Sequence, residues 1–490
     1  MRLLERLREN CGRLGERPAF CSGGETMSWA VLGAKVRATA AMLARGRGPV
    51  VVYGHKEPWM PACFLACLLA GRPYLPADRS WPHERVRRAA ELAGATLLLA
   101  VEPMELPGLE TWDRGSLEAL PDPGTWCERM AGPAEIAYLI FTSGSTGVPK
   151  GVPISRGSLD HFLTWALSLP GIAACAGRGA LNQAGYAFDL SVADLYLAVM
   201  TGGTHTALTG EEQSDFSTMF ARMWKSGAGL LVATPTFLRL CLTDASFCCG
   251  QMGTLGGVLS CGEVLRSRTA EKLFRRFPKL LLYNAYGPTE GTCAVSAARI
   301  HPEDCGSELP IGEMARCGAD ISIEIGGAPC PEGTVGEIVL RGAQLSPGYL
   351  NGIPGGFRDT LAGRAYGTGD LGVICAGKLW YRGRMDEQIK YRGYRVEPGE
   401  IEAVLETLSG IERAAVLPRL GRDGGVQGLV AFVESPQLPD WSGVKEALSQ
   451  RLPPWMCPGQ YAWVEHMPLT PNGKCDRNTL KEWVRDGKPG

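Results

Sequence analysis

Through its first ~385 positions the chain repeats one pattern: a short apolar run, then a glycine-rich turn or a stretch with helical spacing. The apolar runs at 48–53, 96–101, 135–142, 230–233 and 280–283 have the length of buried strands. Between them, 84–92 and 266–277 place apolar residues at the helical period among charged ones. A more β-rich passage follows, with runs at 321–325, 336–341 and 379–382 separated by turns such as Pro331-Glu332-Gly333. After Arg384-Met385-Asp386 the pattern changes. A short strand at 388–391 and the turn Arg392-Gly393-Tyr394 lead to a helix starting near Pro398. There Ile401, Val404, Leu405 and Leu408 stand at i, i+3, i+4 and i+7, which buries one face. A second helix at 444–452 completes a small α+β unit. The pattern predicts an α/β fold: a large N-terminal domain, 1–385, of α/β subdomains plus a β-rich subdomain, and a small C-terminal domain, 386–490.

Length agrees, because 490 residues exceed what one hydrophobic core supports. A net charge of -1 gives no electrostatic reason to expect a nucleic-acid partner. No uninterrupted stretch approaches the ~20 apolar residues of a membrane span, so a soluble protein is expected. The start, from Met1 to Leu7, reads as an amphipathic helix and not as the apolar core of a secretory signal. Seventeen cysteines form an odd set without CxxC spacing. Cys63 and Cys67 lie in the apolar run 62–70, where thiols act as small hydrophobes. These features point to a reducing compartment, the cytoplasm.

The strongest chemical signal is Tyr138-Leu139-Ile140-Phe141-Thr142-Ser143-Gly144-Ser145-Thr146-Gly147-Val148-Pro149-Lys150-Gly151. An apolar strand empties into hydroxyls and glycines and ends at a lysine. Glycines let backbone amides approach phosphate oxygens, hydroxyls donate further hydrogen bonds, and the lysine adds positive charge. The spacing differs from that of a Walker A loop.

These residues resemble the phosphate loop of the ANL superfamily of adenylate-forming enzymes, specifically its amino-acid adenylation members. Further motifs recur in the family's order: Leu69 to Asp78, then Asn284-Ala285-Tyr286-Gly287-Pro288-Thr289-Glu290, then Tyr366-Gly367-Thr368-Gly369-Asp370. The run Tyr381 to Lys390 and Pro471-Asn472-Gly473-Lys474-Cys475-Asp476-Arg477 complete the set. The resemblance covers almost the whole chain. It implies use of ATP and Mg²⁺ and a mobile C-terminal lid carrying Lys474. Thr142, Ser143, Gly144, Ser145, Thr146, Gly147 and Lys150 would hold the β- and γ-phosphates. Glu290 would help hold Mg²⁺, Thr289 would contact the α-phosphate, and Tyr286, flanked by Asn284 and Ala285, would stack on adenine. Asp370 would accept from the ribose hydroxyls, with Arg384 beside it. Lys474 would bridge the substrate carboxylate and the nucleotide, and Asp386 would be the hinge. Gly367 departs from the family, which usually carries a basic residue there.

Tyr186-Ala187-Phe188-Asp189-Leu190-Ser191-Val192-Ala193-Asp194 resembles the segment lining the acyl pocket. In amino-acid-activating members an aspartate at the position of Asp189 pairs with the substrate ammonium; Asp189 could alternatively cap the following helix. The matching pocket positions are Asp189, Leu190, Ala193, Val232, Leu259, Cys261, Ala285, Cys293 and Ala294, small or apolar apart from the aspartate. They imply a small or medium uncharged amino acid. Leu259-Ser260-Cys261-Gly262-Glu263-Val264-Leu265 is similar to the D-alanine–D-alanyl carrier protein ligases, in which the cysteine favours the D form. That subgroup places a methionine where this chain has Ala193, which leaves room for serine, proline or valine. No carrier segment follows Arg477, so the expected partner is a separate phosphopantetheinylated carrier protein. The alternatives are a stand-alone adenylation enzyme of nonribosomal-peptide type, an acyl-CoA synthetase, against which Asp189 argues, and a noncatalytic nucleotide sensor.

Overall fold

The computed structural model describes residues 1–126, 129, 132–143, 149–352, 355–361, 363–421, 424–470 and 475–487. The chain forms two compact units. The first comprises Met1–Arg79, Ala90–Ile140 and Gly151–Met385; the second comprises Ser80–Ala89, Phe141–Lys150 and Asp386–Gly490.

An eight-stranded sheet of the first unit runs, in spatial order, Ser296–Ile300, Leu281–Tyr286, Gly257–Ser260, Leu230–Ala233, Ala180–Asn182, His205–Ala207, Pro18–Ser22 and Glu25–Ser28. Its middle strands are parallel, with Val232, Leu259 and Tyr283 side by side, and one antiparallel strand closes each end. A six-stranded sheet is ordered Glu110–Asp113, Leu97–Ala100, Val50–Gly54, Tyr74–Asp78, Ile136–Thr142, Lys150–Ser155. The β-rich passage forms a third, antiparallel sheet in which Gly363–Cys375 pairs with both Gly336–Arg341 and Lys378–Arg384.

One continuous core draws Val50, Val52, Tyr74 and Tyr138 from the six-stranded sheet and Ala180, Leu230, Val232, Leu259 and Tyr283 from the eight-stranded one. The helices Trp59–Leu69 and Leu190–Thr201 contribute nearly every residue to it. Both are buried along nearly their whole length, as helices with no solvent face are. Cys63 and Cys67 are fully buried there, as their apolar surroundings predict. By contrast, the first helix, Arg2–Leu14, buries Leu3, Leu4, Leu7, Asn10 and Leu14 on one stripe. Among the described residues no helix is long and apolar enough to cross a membrane.

In the second unit, Arg413–Leu420, Val426–Glu434 and Gln460–Val464 form a three-stranded sheet. The helix Pro398–Glu406 buries Ile401 and Leu405. It stops short of the predicted Leu408, with Thr407 as its C-cap and Gly410 at φ 84° turning the chain away. The next helix, Trp441–Ser449, starts before the predicted 444 because the Asp440 carboxylate accepts from the Ser442 amide and caps it. The predicted strand 280–283 runs on to Tyr286, because Asn284, Ala285 and Tyr286 pair with Ala298, Ala297 and Ser296.

Under the helix Leu190–Thr201 lies a buried polar group that the apolar patterning did not indicate. Asp194 accepts from Asn182 Nδ2 at 3.0 and 3.2 Å and contacts His205 Nε2 at 3.0 Å. Lys56, also buried, donates to the Gln183 carbonyl at 2.8 Å. Burial lowers the Lys56 pKa to about 8, against the pull of Asp194, Asp78 and Glu212. Between that value and its ordinary 10.5, Lys56 binds fewer protons folded than unfolded, so stability rises with pH across this window. In Lys56→Met this contribution is gone. Wild-type stability should therefore gain on that of the variant between pH 7 and pH 10 in urea titrations; an equal gap at both pH values would contradict the assignment.

Candidate active site

The predicted acyl-pocket residues come from the carboxyl ends of parallel strands and from one helix, the usual ligand position in an open α/β sheet. Val232 lies within Leu230–Ala233, Leu259 and Cys261 end and follow Gly257–Ser260, and Ala285 lies in Leu281–Tyr286. Leu190 and Ala193 project from the first turns of Leu190–Thr201, while Cys293 and Ala294 follow the 3₁₀ turn Thr289–Gly291. All eight are buried and belong to the same core cluster. Asp189 is half-buried at the N-cap position of that helix but makes no side-chain capping hydrogen bond. Its backbone, at φ −62° and ψ −26°, is already helical, whereas a capping aspartate takes an extended conformation. The capping alternative is thereby removed. Burial first, and the Asp189 charge next, push the Cys293 thiol well above its ordinary value. Burial dominates at Tyr138 as well, where Asp189 adds to the rise.

A second group of predicted residues meets on two adjacent strands of the antiparallel sheet. Asp370 and Arg384 are paired across adjacent strands, and Arg384 Nη1 donates to Asp370 Oδ1 at 2.7 Å. The Tyr286 hydroxyl donates to Asp370 Oδ2 at 2.8 Å, and the Asp370 amide donates to Thr368 Oγ1 at 3.1 Å. Asp370 is 2% exposed, so these partners supply what water would otherwise provide. At Gly367 a Cβ would stand 2.7 Å from Glu337 Oε1, the end of a flexible side chain. That same oxygen accepts from the Gly369 amide at 3.0 Å.

Glu290 is fully buried. Its Oε1 accepts from the Tyr349 hydroxyl at 2.6 Å, and its backbone carbonyl accepts from the Ser346 amide at 2.8 Å. Tyr349 in turn lies 3.3 Å from the Tyr366 hydroxyl. Tyr349 and Ser346 were missed in the sequence. The segment Ser346-Pro347-Gly348-Tyr349 looks like an ordinary turn after a strand, and only folding brings it to Glu290.

In the second unit, Thr142 Oγ1 lies 3.5 Å from the Lys150 carbonyl, and Ser143 Oγ donates to the Arg395 carbonyl at 2.8 Å. Asp386 Oδ1 accepts from the Gln388 amide at 3.3 Å. Gly144, Ser145, Thr146, Gly147 and Lys474 lie outside the described residues.

The model of the AMP-binding enzyme family matches residues 7–350, and that of the AMP-binding enzyme C-terminal domain matches 400–474. A D-alanine–D-alanyl carrier protein ligase of Bacillus anthracis is 38% identical over 460 residues, covering 89% of either protein. One from Bacillus cereus is 36% identical, over 98% of this chain and 99% of its own length. Among solved structures, a holo NRPS protein containing adenylation and PCP domains superposes with TM-score 0.83. It is 27% identical, with 98% of this chain and 84% of that one covered. The Vibrio cholerae adenylation domain AlmE, in complex with glycyl-adenosine-5'-phosphate, has TM-score 0.85 at 21% identity, over 99% and 98%, and supports the fold alone. With family matches across both parts of the sequence and relatives above 35% identity over most of its length, the chain belongs to the AMP-binding enzymes, the ANL superfamily of adenylate-forming ligases.

Proposed function

We propose that the chain activates a small amino acid, with D-alanine as first choice, as its adenylate and passes it to the phosphopantetheine thiol of a separate carrier protein. As an AMP-binding enzyme it uses ATP. The observation that carries the reading is Asp189, a carboxylate that makes no capping hydrogen bond, at the start of the helix whose Leu190 and Ala193 share a core cluster with the six other matching pocket positions. An ammonium group meets its charge there, an attraction that a substrate without one does not gain. The curated relatives named as D-alanine–D-alanyl carrier protein ligases favour D-alanine and a carrier acceptor. Ala193, small and buried, favours a second reading in which serine, proline or valine is activated for peptide biosynthesis.

The reaction brings a carboxylate oxygen to the α-phosphorus of ATP and expels pyrophosphate. Two anions meet, so charge neutralisation and positioning are the main requirements. In this reading Thr142, Ser143, Lys150 and the residues 144–147 hold the outer phosphates, and Thr289 contacts the α-phosphate. Tyr286 stacks on adenine with its ring fixed through Asp370, which accepts from the ribose hydroxyls beside Arg384. The buried Glu290 carboxylate, braced by Tyr349, is an oxygen donor of the kind Mg²⁺ takes. When bound, Mg²⁺ neutralises phosphate charge. Lys474 contacts the substrate carboxylate during adenylation, and residues 386–490 act as a lid hinged at Asp386. The thiol-rich composition suits a cytoplasmic location.

Amino-acid-dependent ATP–pyrophosphate exchange with D- and L-alanine, glycine, serine, proline, valine and a short fatty acid tests the assignment. D-alanine should give the highest kcat/KM; preference for a larger or an L-amino acid would select the second reading. Asp189→Ala should lower exchange by about a hundredfold or more, the size expected when a buried charge loses its partner. Unchanged exchange would remove Asp189 from ammonium recognition. Lys474→Ala should slow adenylation by about two to three orders of magnitude, as loss of one electrostatic contact to a developing charge does. ATP affinity by calorimetry should stay close to that of the wild type; normal adenylation by this variant would exclude the proposed role.

A further inference from the structure

Cys293 sits in an unusual stretch of backbone. Thr292 and Cys293 both have positive φ, 60° and 69°, a region that non-glycine residues rarely occupy. The Ala294 amide donates to the Thr292 carbonyl at 2.9 Å, closing a three-residue turn around Cys293. A γ-turn with positive φ at its centre is strained and persists only where its surroundings hold it.

The restraint comes from one buried side chain about fifty positions downstream. Gln344 is fully buried, and its Nε2 donates to the Ala294 carbonyl at 2.8 Å and to the Gly291 carbonyl at 3.3 Å. Two carbonyl acceptors at one end identify that end of the amide as the nitrogen. The Gln344 backbone carbonyl accepts from Thr292 Oγ1 at 2.6 Å. Residues 291, 292 and 294 are thus each tied to Gln344, and Cys293 lies between them. From another side Gly287 packs so closely that a Cβ would stand 2.6 Å from Ala294 Cα. Five positions beyond Gln344, Tyr349 braces Glu290. One short segment therefore supports both the turn and the proposed metal-binding carboxylate.

We propose that Gln344 is a specificity-determining positioning residue: its amide holds the Thr292-Cys293 turn in the strained form that makes Cys293 and Ala294 one wall of the amino-acid pocket. The inference rests on the pocket reading given above. Gln344 touches no reacting atom in this scheme. Its loss relaxes the turn, moves the wall, and leaves the carbonyls of Gly291 and Ala294 without their buried donor.

Gln344→Met keeps the length of the side chain and removes the donor. In ATP–pyrophosphate exchange this variant should raise the KM for the preferred amino acid by about tenfold, as expected for a lost buried donor. Discrimination against valine should fall, and the KM for ATP should stay unchanged. A folded variant with unchanged amino-acid KM and selectivity would overturn the proposal. So would a parallel rise in both KM values, which marks general loosening through Tyr349 and Glu290. Should Gln344→Met fail to fold, Thr292→Val removes the hydroxyl bond to the same residue at similar volume. It should show the same split to a smaller degree, and its absence counts against the proposal. A wild-type enzyme that exchanges with no amino acid would overturn the pocket reading itself, whatever the variants do.

Discussion

Burying a carboxylate is costly unless its oxygens are given partners, and the first unit buries several, two of them at the candidate site. Asp370 is held by Arg384 and Tyr286, and Glu290 by Tyr349. The two tyrosine bonds join parts of the chain far apart in sequence. The Tyr286 bond links the last residue of a strand in the eight-stranded sheet to the antiparallel sheet. The Tyr349 bond links the loop after Gly336–Arg341 to the 3₁₀ turn that follows the same strand. The carboxylates are thus joints of the scaffold as well as candidate ligand groups.

The proposed amino-acid pocket depends on a different constraint. Parallel strands end together, so Val232, Leu259 and Ala285 arrive at one edge as a consequence of sheet register. The helix Leu190–Thr201 is buried along nearly its whole length, and Asp189 stands at its N-terminus. A polar residue reaches this interior because the apolar residues after it have no other place to go. The buried Asp194 of the same helix is partnered by Asn182 and His205.

Much of this architecture is legible in the chain because local physics dictates it. Apolar runs separated by turns specify the strands, and nearly continuous apolar stretches specify buried helices. Element ends were less legible. Asp440 starts a helix before its first buried apolar residue, and the strand pairing of Asn284–Tyr286 depends on a partner ten or more residues away.

The sequence alone determined the fold class, the kinship with adenylate-forming enzymes, and which residues could carry the chemistry, because these reside in local composition and motif order. Tertiary structure alone decided that Asp189 is not a cap, that Tyr349 and Tyr286 support the carboxylates, and that Gln344 restrains a strained turn. These are long-range hydrogen bonds between segments that look unremarkable in isolation. A glutamine or tyrosine in a loop carries no local signal of its partner, since the partner's position is set by how the whole core packs.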